Sequence, residues 1–166
     1  LERSTVAHNT IAVENENSSE VWSSFRVAQR ARVFDVQQNN NELSFSAAHD
    51  GYHRLNPKVT HTRKWVSGTK HITVEDQLIG QGVTSFTAFY HLQPDWLVEF
   101  QDPHILWLRS LATNSKVSLE FAEGSDIHIT PYDYALGFNH KKTGWCISVA
   151  CSRKNLPHTH IMTIGW

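Results

Sequence analysis

Histidine and basic side chains are concentrated in one short segment, AAHDGYHRLNPKVTHTRKW, which spans residues 47 to 65. Histidine titrates near neutral pH and ligates metals, and the arginine guanidinium group binds carboxylates through paired hydrogen bonds. The segment therefore contains groups suited to proton transfer and to the recognition of acidic ligands. They are His49, His53, His61, Arg54, Arg63 and Lys64.

The second half of this segment has two interpretations. If residues 59 to 65 form a strand, four side chains share one face because strand side chains alternate: Val59, His61, Arg63 and Trp65. In the first interpretation the ring stacks on a sugar, and the polar groups bind its hydroxyls or carboxylates. In the second, the tryptophan is part of the core, and the histidine and arginine satisfy one another's surroundings. The spacing favours neither. Asp50-Gly51, upstream, predicts a point at which the chain reverses or bulges.

A row of arginines is the next candidate. Residues 25 to 33 alternate apolar and basic side chains, which predicts a strand. Arg30 and Arg32 would then lie about 6.8 Å apart on one face, with Arg26 continuing the row. Such a row could hold an acidic polymer, for example a uronic-acid polysaccharide. The alternative is a solvated outer face whose arginines pair with nearby carboxylates, which is the commoner role of a charged face.

Histidines outside these segments offer metal ligands. His8 lies between apolar neighbours in TVAHNTIAV, residues 5 to 13, and a neutral imidazole on a rigid strand is a good ligand for zinc or manganese. Because zinc needs three or four ligands, the spacing alone favours a half-buried histidine that is hydrogen-bonded across the sheet. His158, His160 and Met162 share a face in PHTHIMTIGW, which we interpret as the surface of an edge strand.

The composition excludes several functional classes. With 15 basic and 16 acidic residues, the formal net charge of −1 lacks the basic field of a dedicated nucleic-acid binder. No apolar run approaches the length of a membrane span. The sequence also lacks a nucleophile elbow, a P-loop and a dinucleotide-binding motif. The unusual count is 11 histidines, which makes pH-dependent or metal chemistry a working hypothesis.

Strands must position these groups, because alternation with a period of two dominates the sequence. Short alternating segments separated by turn-rich sequences predict an all-β fold, an antiparallel β-sandwich of two stacked sheets with little helix. Residues 134 to 152 predict a hairpin that turns near Lys141 to Gly144. Cys146 and Cys151 are predicted to be free, buried thiols, because an odd separation on one straight strand places them on opposite faces.

The length of 166 residues suits a single domain, residues 1–166. The sequence begins with Leu1, and its only methionine is Met162. We therefore expect the chain to be an excised piece or a processed product of a longer protein.

Several of these segments together resemble a known family. AHNTIAVENENSSEVWSSFRVAQRARV is followed by HDGYHRLNPKVTHTRKW and then by VEDQLIG and FYHLQP. This order and spacing resembles the C-terminal β-sandwich region of the heparinase II/III-like polysaccharide lyases. The resemblance is strongest over residues 3 to 65 and is only that of a generic sandwich after about residue 110.

The resemblance implies roles for individual residues. The histidine of the family's HNT motif helps to ligate a metal, usually zinc, so His8 is the implied metal ligand here. The other ligands and the proposed catalytic tyrosine, histidine and asparagine of the family lie upstream of the matching region. A metal site in this chain, for zinc or another divalent cation, would therefore be incomplete. The residues expected to contact substrate are Arg30, His49, Arg54, His61 and Arg63.

The function implied by the resemblance is β-elimination on an anionic, uronic-acid-containing polysaccharide by a bacterial enzyme that is periplasmic or secreted. The chain would be the C-terminal fragment of that enzyme. An α/α toroid would precede it, and the fragment alone would be inactive and prone to form homo-oligomers through exposed surface. One alternative is a stand-alone carbohydrate-binding sandwich that uses Trp65, Trp96 or Trp107 as a stacking platform. Another is a purely structural domain that braces the toroid.

Overall fold

Two antiparallel sheets packed face to face form most of the fold, which confirms the predicted all-β sandwich. The computed structural model describes residues 3–22 and 26–166. A short 3-10 helix at Thr5–Ala7 is the only helix within these ranges. The strands are β1 (Ile11–Val13), β2 (Val21–Trp22), β3 (Arg26–Val27), β4 (Val33–Asn39), β5 (Ser44–Tyr52), β6 (Val59–Ser67), β7 (His71–Gly80), β8 (Val83–His91), β9 (Trp96–Gln101), β10 (Ile105–Ser110), β11 (Lys116–Phe121), β12 (Asp126–Gly137), β13 (His140–Asn155) and β14 (His158–Gly165).

The larger sheet has eight strands in the order β4-β5-β6-β7-β14-β11-β10-β9, and the smaller has four in the order β1-β8-β13-β12. Strands β2 and β3 form a separate two-stranded ribbon. Strand β4 lies at the edge of the large sheet, and all of its residues are exposed, including Val33 and Val36. An apolar edge strand of this kind is suited to pairing with another chain. Homo-oligomer formation stays a prediction.

Alternating apolar side chains from both sheets meet in one core. In β8, Thr84, Phe86, Ala88 and Tyr90 are buried, as the period of two requires. The largest fully buried apolar side chains include Tyr52, Ile11, Leu78, Leu106 and Ile147. Burial of each such aliphatic side chain stabilises the fold by roughly 1.5–3 kcal/mol.

Two strand predictions are corrected by the structure. The predicted strand over residues 25 to 33 is wrong, because residues 28–32 are irregular and only Arg26–Val27 and Val33 onward are extended in ladders; Phe25 lies outside the described residues. Backbone groups of residues 28–32 bond to side chains instead of a neighbouring strand: the N–H of Ala31 donates to Ser19 Oγ, and the N–H of Arg32 donates to Asp50 Oδ1.

Strand β14 is not at an edge, because it pairs with β7 on one side and β11 on the other. His160 and Met162 are accordingly buried, at 5% and 3% exposure. The periodicity of PHTHIMTIGW reports which face is apolar, but it does not report how many neighbours the strand has.

The predicted hairpin is present, and its turn lies earlier than predicted. Strands β12 and β13 pair as far as Gly137 and His140, so the turn is at Phe138–Asn139. Asn139 has a φ of 57°, a left-handed conformation that asparagine tolerates. Cys146 and Cys151 are free thiols, as predicted. Cys146 is buried, while Cys151 is only partly buried.

Candidate functional site

A buried carboxylate, Asp76, is the centre of the polar network in the sandwich. It lies on β7 with 0% exposure. Arg63, its cross-strand neighbour on β6, donates from Nε to Oδ1 (2.6 Å) and from Nη2 to Oδ2 (2.8 Å). His61 Nε2 lies 2.7 Å from Asp76 Oδ1. The bidentate ion pair and the additional imidazole offset the desolvation penalty of burying the Asp76 carboxylate.

The hydrogen bonds of the network fix the tautomers of two histidines. The backbone N–H of Gly51 donates to His49 Nδ1 (3.2 Å), so His49 carries its proton on Nε2. His49 Nε2 lies 2.9 Å from His61 Nδ1, which must then accept. His61 consequently donates from Nε2 to Asp76. Both nitrogens of each ring are engaged, so neither histidine has a free nitrogen with which to accept a substrate proton.

The surroundings lower the pKa values of both His49 and Asp76, each for a different reason. Burial lowers the pKa of His49 to about 4, and the neighbouring His61 adds to the effect. Burial alone would raise the pKa of Asp76, but the hydrogen bonds from His61 and Arg63 outweigh it and lower that pKa to about 2. At neutral pH the network is therefore a neutral His49 linked to an ionised Asp76 that Arg63 compensates.

A second buried histidine, His160, extends the polar network around Asp76. His160 on β14 is the cross-strand neighbour of Asp76, and its Nε2 lies 3.1 Å from the hydroxyl of Tyr90 on β8. Burial lowers the pKa of His160 to about 4 and raises the pKa of Tyr90. Because His160 belongs to the large sheet and Tyr90 to the small one, this contact joins the two sheets through polar groups.

Arg54 fixes the loop that follows β5. Its guanidinium group donates to the carbonyl oxygens of Gly51 and Asn17 and lies 3.5 Å from Glu16. Only 14% of its side chain is exposed. Arg54 thus ties the segment before β2 to the bulge in β5, where the ladder shifts register between His49 and Tyr52. The bulge confirms the prediction from Asp50-Gly51.

An open, basic depression lies beside this bulge. Its lining includes Arg30, Arg32, Asp50, His53 and Arg54. The backbone N–H of Arg32 donates to Asp50 Oδ1 at 2.7 Å and lowers the pKa of Asp50. Arg30 and Arg32 have exposed side chains, and neither forms an ion pair within residues 3–22 and 26–166. Both guanidinium groups line the depression, and that of Arg32 also interacts electrostatically with Asp50.

The five residues expected to contact substrate separate into two groups. Arg30 and Arg54 line the basic depression, and His49 lies next to it through its bond to Gly51. His61 and Arg63 are held by Asp76, and His61 is only 2% exposed. Contact of all five with substrate stays a prediction. For His61 and Arg63 the geometry matches the second interpretation, in which the two residues belong to one internal polar network. Both donate hydrogen bonds to the same carboxylate, Asp76.

Asp76 was missing from the residues expected to form a site, whereas Arg32 was expected only as a member of the arginine row. The sequence does contain a signal for Asp76: in HITVEDQLIG it has the same parity as Val74 and Leu78, so a carboxylate stands in an apolar row. A buried carboxylate in such a row requires a cationic partner on an adjacent strand.

His8 follows the 3-10 helix and is exposed. Burial lowers the pKa of His91, and the nearby His8 lowers it further. Asn9, the next residue, accepts hydrogen bonds through Oδ1 from the backbone N–H (2.7 Å) and Nδ1 (3.1 Å) of His91. Across the described part of the chain, no three His, Cys, Asp or Glu side chains are grouped so that they could hold a metal. These residues alone do not fit the three or four ligands of a zinc site.

A model of one protein family matches most of the chain. Residues 1–157 match the family described as heparinase II/III-like, C-terminal. A search of curated protein sequences found no significant match.

Solved structures with the same fold include the heparan sulfate lyase HepC from Pedobacter heparinus, at 16% identity and a TM-score of 0.75. Two others are the heparinase III BT4657 gene product (15% identity, TM-score 0.71) and a heparinase III (12% identity, TM-score 0.65). In each comparison 98% of this chain is aligned with 24% of the other. The chain thus spans about a quarter of the length of these proteins.

Proposed function

Because the chain belongs to the heparinase II/III-like family and matches its C-terminal region, we propose that it is the β-sandwich part of a lyase. The enzyme would cleave an anionic, uronic-acid-containing polysaccharide by β-elimination. The single observation that carries the proposal is the basic depression, where Arg30 and Arg32 have no ion-pair partner among the described residues. Exposed guanidinium groups that line one depression suit a carboxylate or a sulfate of the polymer.

The chemistry explains why an arginine-lined surface is useful. In β-elimination a base removes the proton on C5 of the uronic acid, next to the carboxylate. The electron pair forms the C4–C5 double bond, the bond from C4 to the glycosidic oxygen breaks, and that oxygen takes up a proton. Neutralising the carboxylate stabilises the negative charge that develops when the C5 proton leaves. Arg30 and Arg32 would supply or extend that neutralising surface.

Proton transfer is a separate requirement, and we assign no base in this chain. His49 is the histidine nearest the bulge, and both of its ring nitrogens are engaged, by Gly51 and by His61. His53 Nε2 lies 2.7 Å from Thr60 Oγ1. We therefore propose that an α/α toroid in the longer protein supplies the proton-transfer groups, and that this chain alone is inactive.

The same proposal covers the metal and the location. His8 would ligate zinc or another divalent cation only with ligands from outside the described residues, since these provide no group of three. A periplasmic or secreted location fits a polymeric substrate outside the cytoplasm. Within residues 3–22 and 26–166 no helix is long and apolar enough to span a membrane.

Binding by this chain tests the proposal directly. Affinity electrophoresis in gels that contain heparan sulfate, hyaluronan or alginate should retard the chain, and added salt should weaken the retardation. The double variant Arg30→Ala/Arg32→Ala should bind about tenfold more weakly or worse, because hydrogen bonds to charged groups contribute about 1.5–3 kcal/mol each.

The matched control removes two other exposed cations, in Lys141→Ala/Lys142→Ala on the β12–β13 hairpin. It should retain wild-type binding. Equal weakening of binding in both double variants would show that binding depends on net charge and not on the basic depression. Failure of all three polymers to retard the wild-type chain would favour a structural brace.

A further inference from the structure

An aromatic groove at the other end of β5 is separate from the basic depression. The groove is defined by Leu43, Phe45 and Trp65, with the amides of Gln38, Asn39 and Asn40 at its rim. Phe45 and Trp65 are cross-strand partners on the face that carries His49 and His61. Farther along that face His61 is only 2% exposed, yet Phe45 is 42% and Trp65 is 37% exposed. Two large aromatic rings are therefore presented to solvent in one place.

The rings are held in position by the buried network. Their centroids are 5.7 Å apart, and their planes are inclined by 38°. The Arg63 guanidinium carbon lies 6.0 Å from the Trp65 ring centroid, and Arg63 is itself fixed by its bidentate bonds to Asp76. Since Trp65 lies beside a guanidinium group that a buried ion pair holds in place, we expect the groove to be preorganised rather than formed on binding.

The rim of the groove presents hydrogen-bonding groups. Gln38 Nε2 donates to Asn40 Oδ1 (2.8 Å), and Asn39 Oδ1 accepts from the backbone N–H groups of Asn41 and Glu42. Among the described residues these bonds use one end of each amide. The other ends offer one acceptor, Gln38 Oε1, and two amino groups as donors, Asn39 Nδ2 and Asn40 Nδ2. An acceptor and a donor beside an aromatic face suit the hydroxyl groups of a sugar.

Charge decides which sugar the groove fits. None of the nine residues that line it is ionisable as Asp, Glu, Lys, Arg or His. The nearby Glu42 and Lys64 pair with one another at 3.6 Å. The groove therefore offers a carboxylate or sulfate nothing to pair with, in contrast to the basic depression.

We propose that the aromatic groove is a binding site for an uncharged pyranose residue, with Trp65 stacking on its apolar face. The inference rests on the proposed function only in that the ligand is a carbohydrate, and it does not require the elimination chemistry. A polymer in which charged and uncharged sugars alternate would use both sites, the charged residue at the arginines and the uncharged residue here.

Titration with two neutral probes, cellotetraose and N-acetylchitotetraose, tests this site. Two-dimensional ¹H–¹⁵N NMR of the wild-type chain should show the indole N–H signal of Trp65, assigned from Trp65→Phe, shifting on addition of at least one probe. The shift should be insensitive to salt because no charge is involved. Trp65→Ala should weaken binding at least about tenfold, and Trp65→Phe should retain part of it.

Trp22→Ala is the matched control, because Trp22 is an equally large ring, 52% exposed, on the separate β2–β3 ribbon. It should bind the neutral probes like wild type. The proposal is overturned if neither probe shifts the Trp65 signal, or if Trp22→Ala loses binding equally. It is also overturned if Trp65→Ala only converts a dimer to a monomer, which would make the groove an interface between copies. If Trp65→Ala fails to fold, the NMR shifts of the wild-type chain and the binding of Trp65→Phe decide whether the proposal holds.

Failure of this site and failure of the proposed function are distinguishable. Neutral probes report only on the aromatic groove, whereas the loss of retention by anionic polymers in Arg30→Ala/Arg32→Ala reports on the arginines.

Discussion

At the scale of single residues, Asp76 organises the interior of the sandwich. A carboxylate with 0% exposure has exchanged its water for three hydrogen bonds, two from Arg63 and one from His61. A buried ion pair of this kind adds little net stability compared with an apolar core, but loss of one partner strands the other. The role of the network is therefore positional: it fixes His61, His49 and, through Arg63, the ring of Trp65.

Asp76→Ala should destabilise the fold by about 3–5 kcal/mol, because Arg63 and His61 would remain buried without their acceptor. The free energy of unfolding, measured by urea titration at pH 7, checks this value. Asp133→Ala is the control, since Asp133 pairs with Lys141 at 3.2 Å on an exposed hairpin and its loss should change stability little. A wild-type midpoint for Asp76→Ala would contradict the account of the network.

Two histidines with lowered pKa values should make stability pH-dependent. The pKa values of His49 and His160 fall from 6.5 to about 4 in the folded chain. The unfolded chain therefore takes up protons at a higher pH than the folded chain does. The free energy of unfolding should be largest above about pH 6.5 and should decrease as the pH falls to about 4, by roughly 3 kcal/mol at most for each histidine. Asp76 contributes only at lower pH, since its pKa is about 2.

His49→Gln separates the titration from the hydrogen bonds. A glutamine can accept from Gly51 and donate to His61, yet it does not titrate. Urea unfolding at pH 5 and pH 7 should show about half of the wild-type difference in this variant. His140→Gln, on the exposed hairpin, should keep the full difference. If the pH dependence of stability were unchanged in His49→Gln, His49 would not contribute to that dependence.

At the scale of elements, the period of two predicted most of what was found. In β11, for example, Leu119 and Phe121 are each 4% exposed, while Glu120 between them is exposed. The shared face of Val59, His61, Arg63 and Trp65 is also present. The missed features are set by contacts distant in sequence. Ser19 and Asp50 hold the backbone of residues 28–32 out of a ladder, and the pairing of β11 with β14 places His160 inside.

The β5 bulge makes a prediction at this scale. A Cβ on Gly51 would lie 2.4 Å from the carbonyl oxygen of Ser18 and 3.0 Å from His49 Nδ1. Gly51→Ala should therefore destabilise the fold by about 1–3 kcal/mol and disturb the bond from Gly51 to His49. Gly137→Ala is the control, because a Cβ there meets nothing within 4 Å. Equal urea midpoints for the two variants would show that the close approach at Gly51 is not required.

At the scale of the whole molecule, the sequence predicted the sandwich and the family, and both are confirmed. The site was predicted less completely. Arg30 and Arg54 do line one depression, but the apolar row that contains Asp76 was not recognised as the anchor of Arg63 and His61. Alternation along a strand gives the face of a side chain, whereas the partner that neutralises it depends on strand order, which the pattern does not contain.

The central claim is that this chain is part of a polysaccharide lyase, and the products formed by the native protein that contains it test that claim. Incubation with heparan sulfate, hyaluronan and alginate should release, from at least one of them, fragments with the ultraviolet absorbance of a C4–C5 unsaturated uronide. Arg30→Ala/Arg32→Ala should lower the rate, and this chain alone should release none. New reducing ends without that absorbance would indicate hydrolysis and would contradict the claim, as would the absence of cleavage of all three polymers.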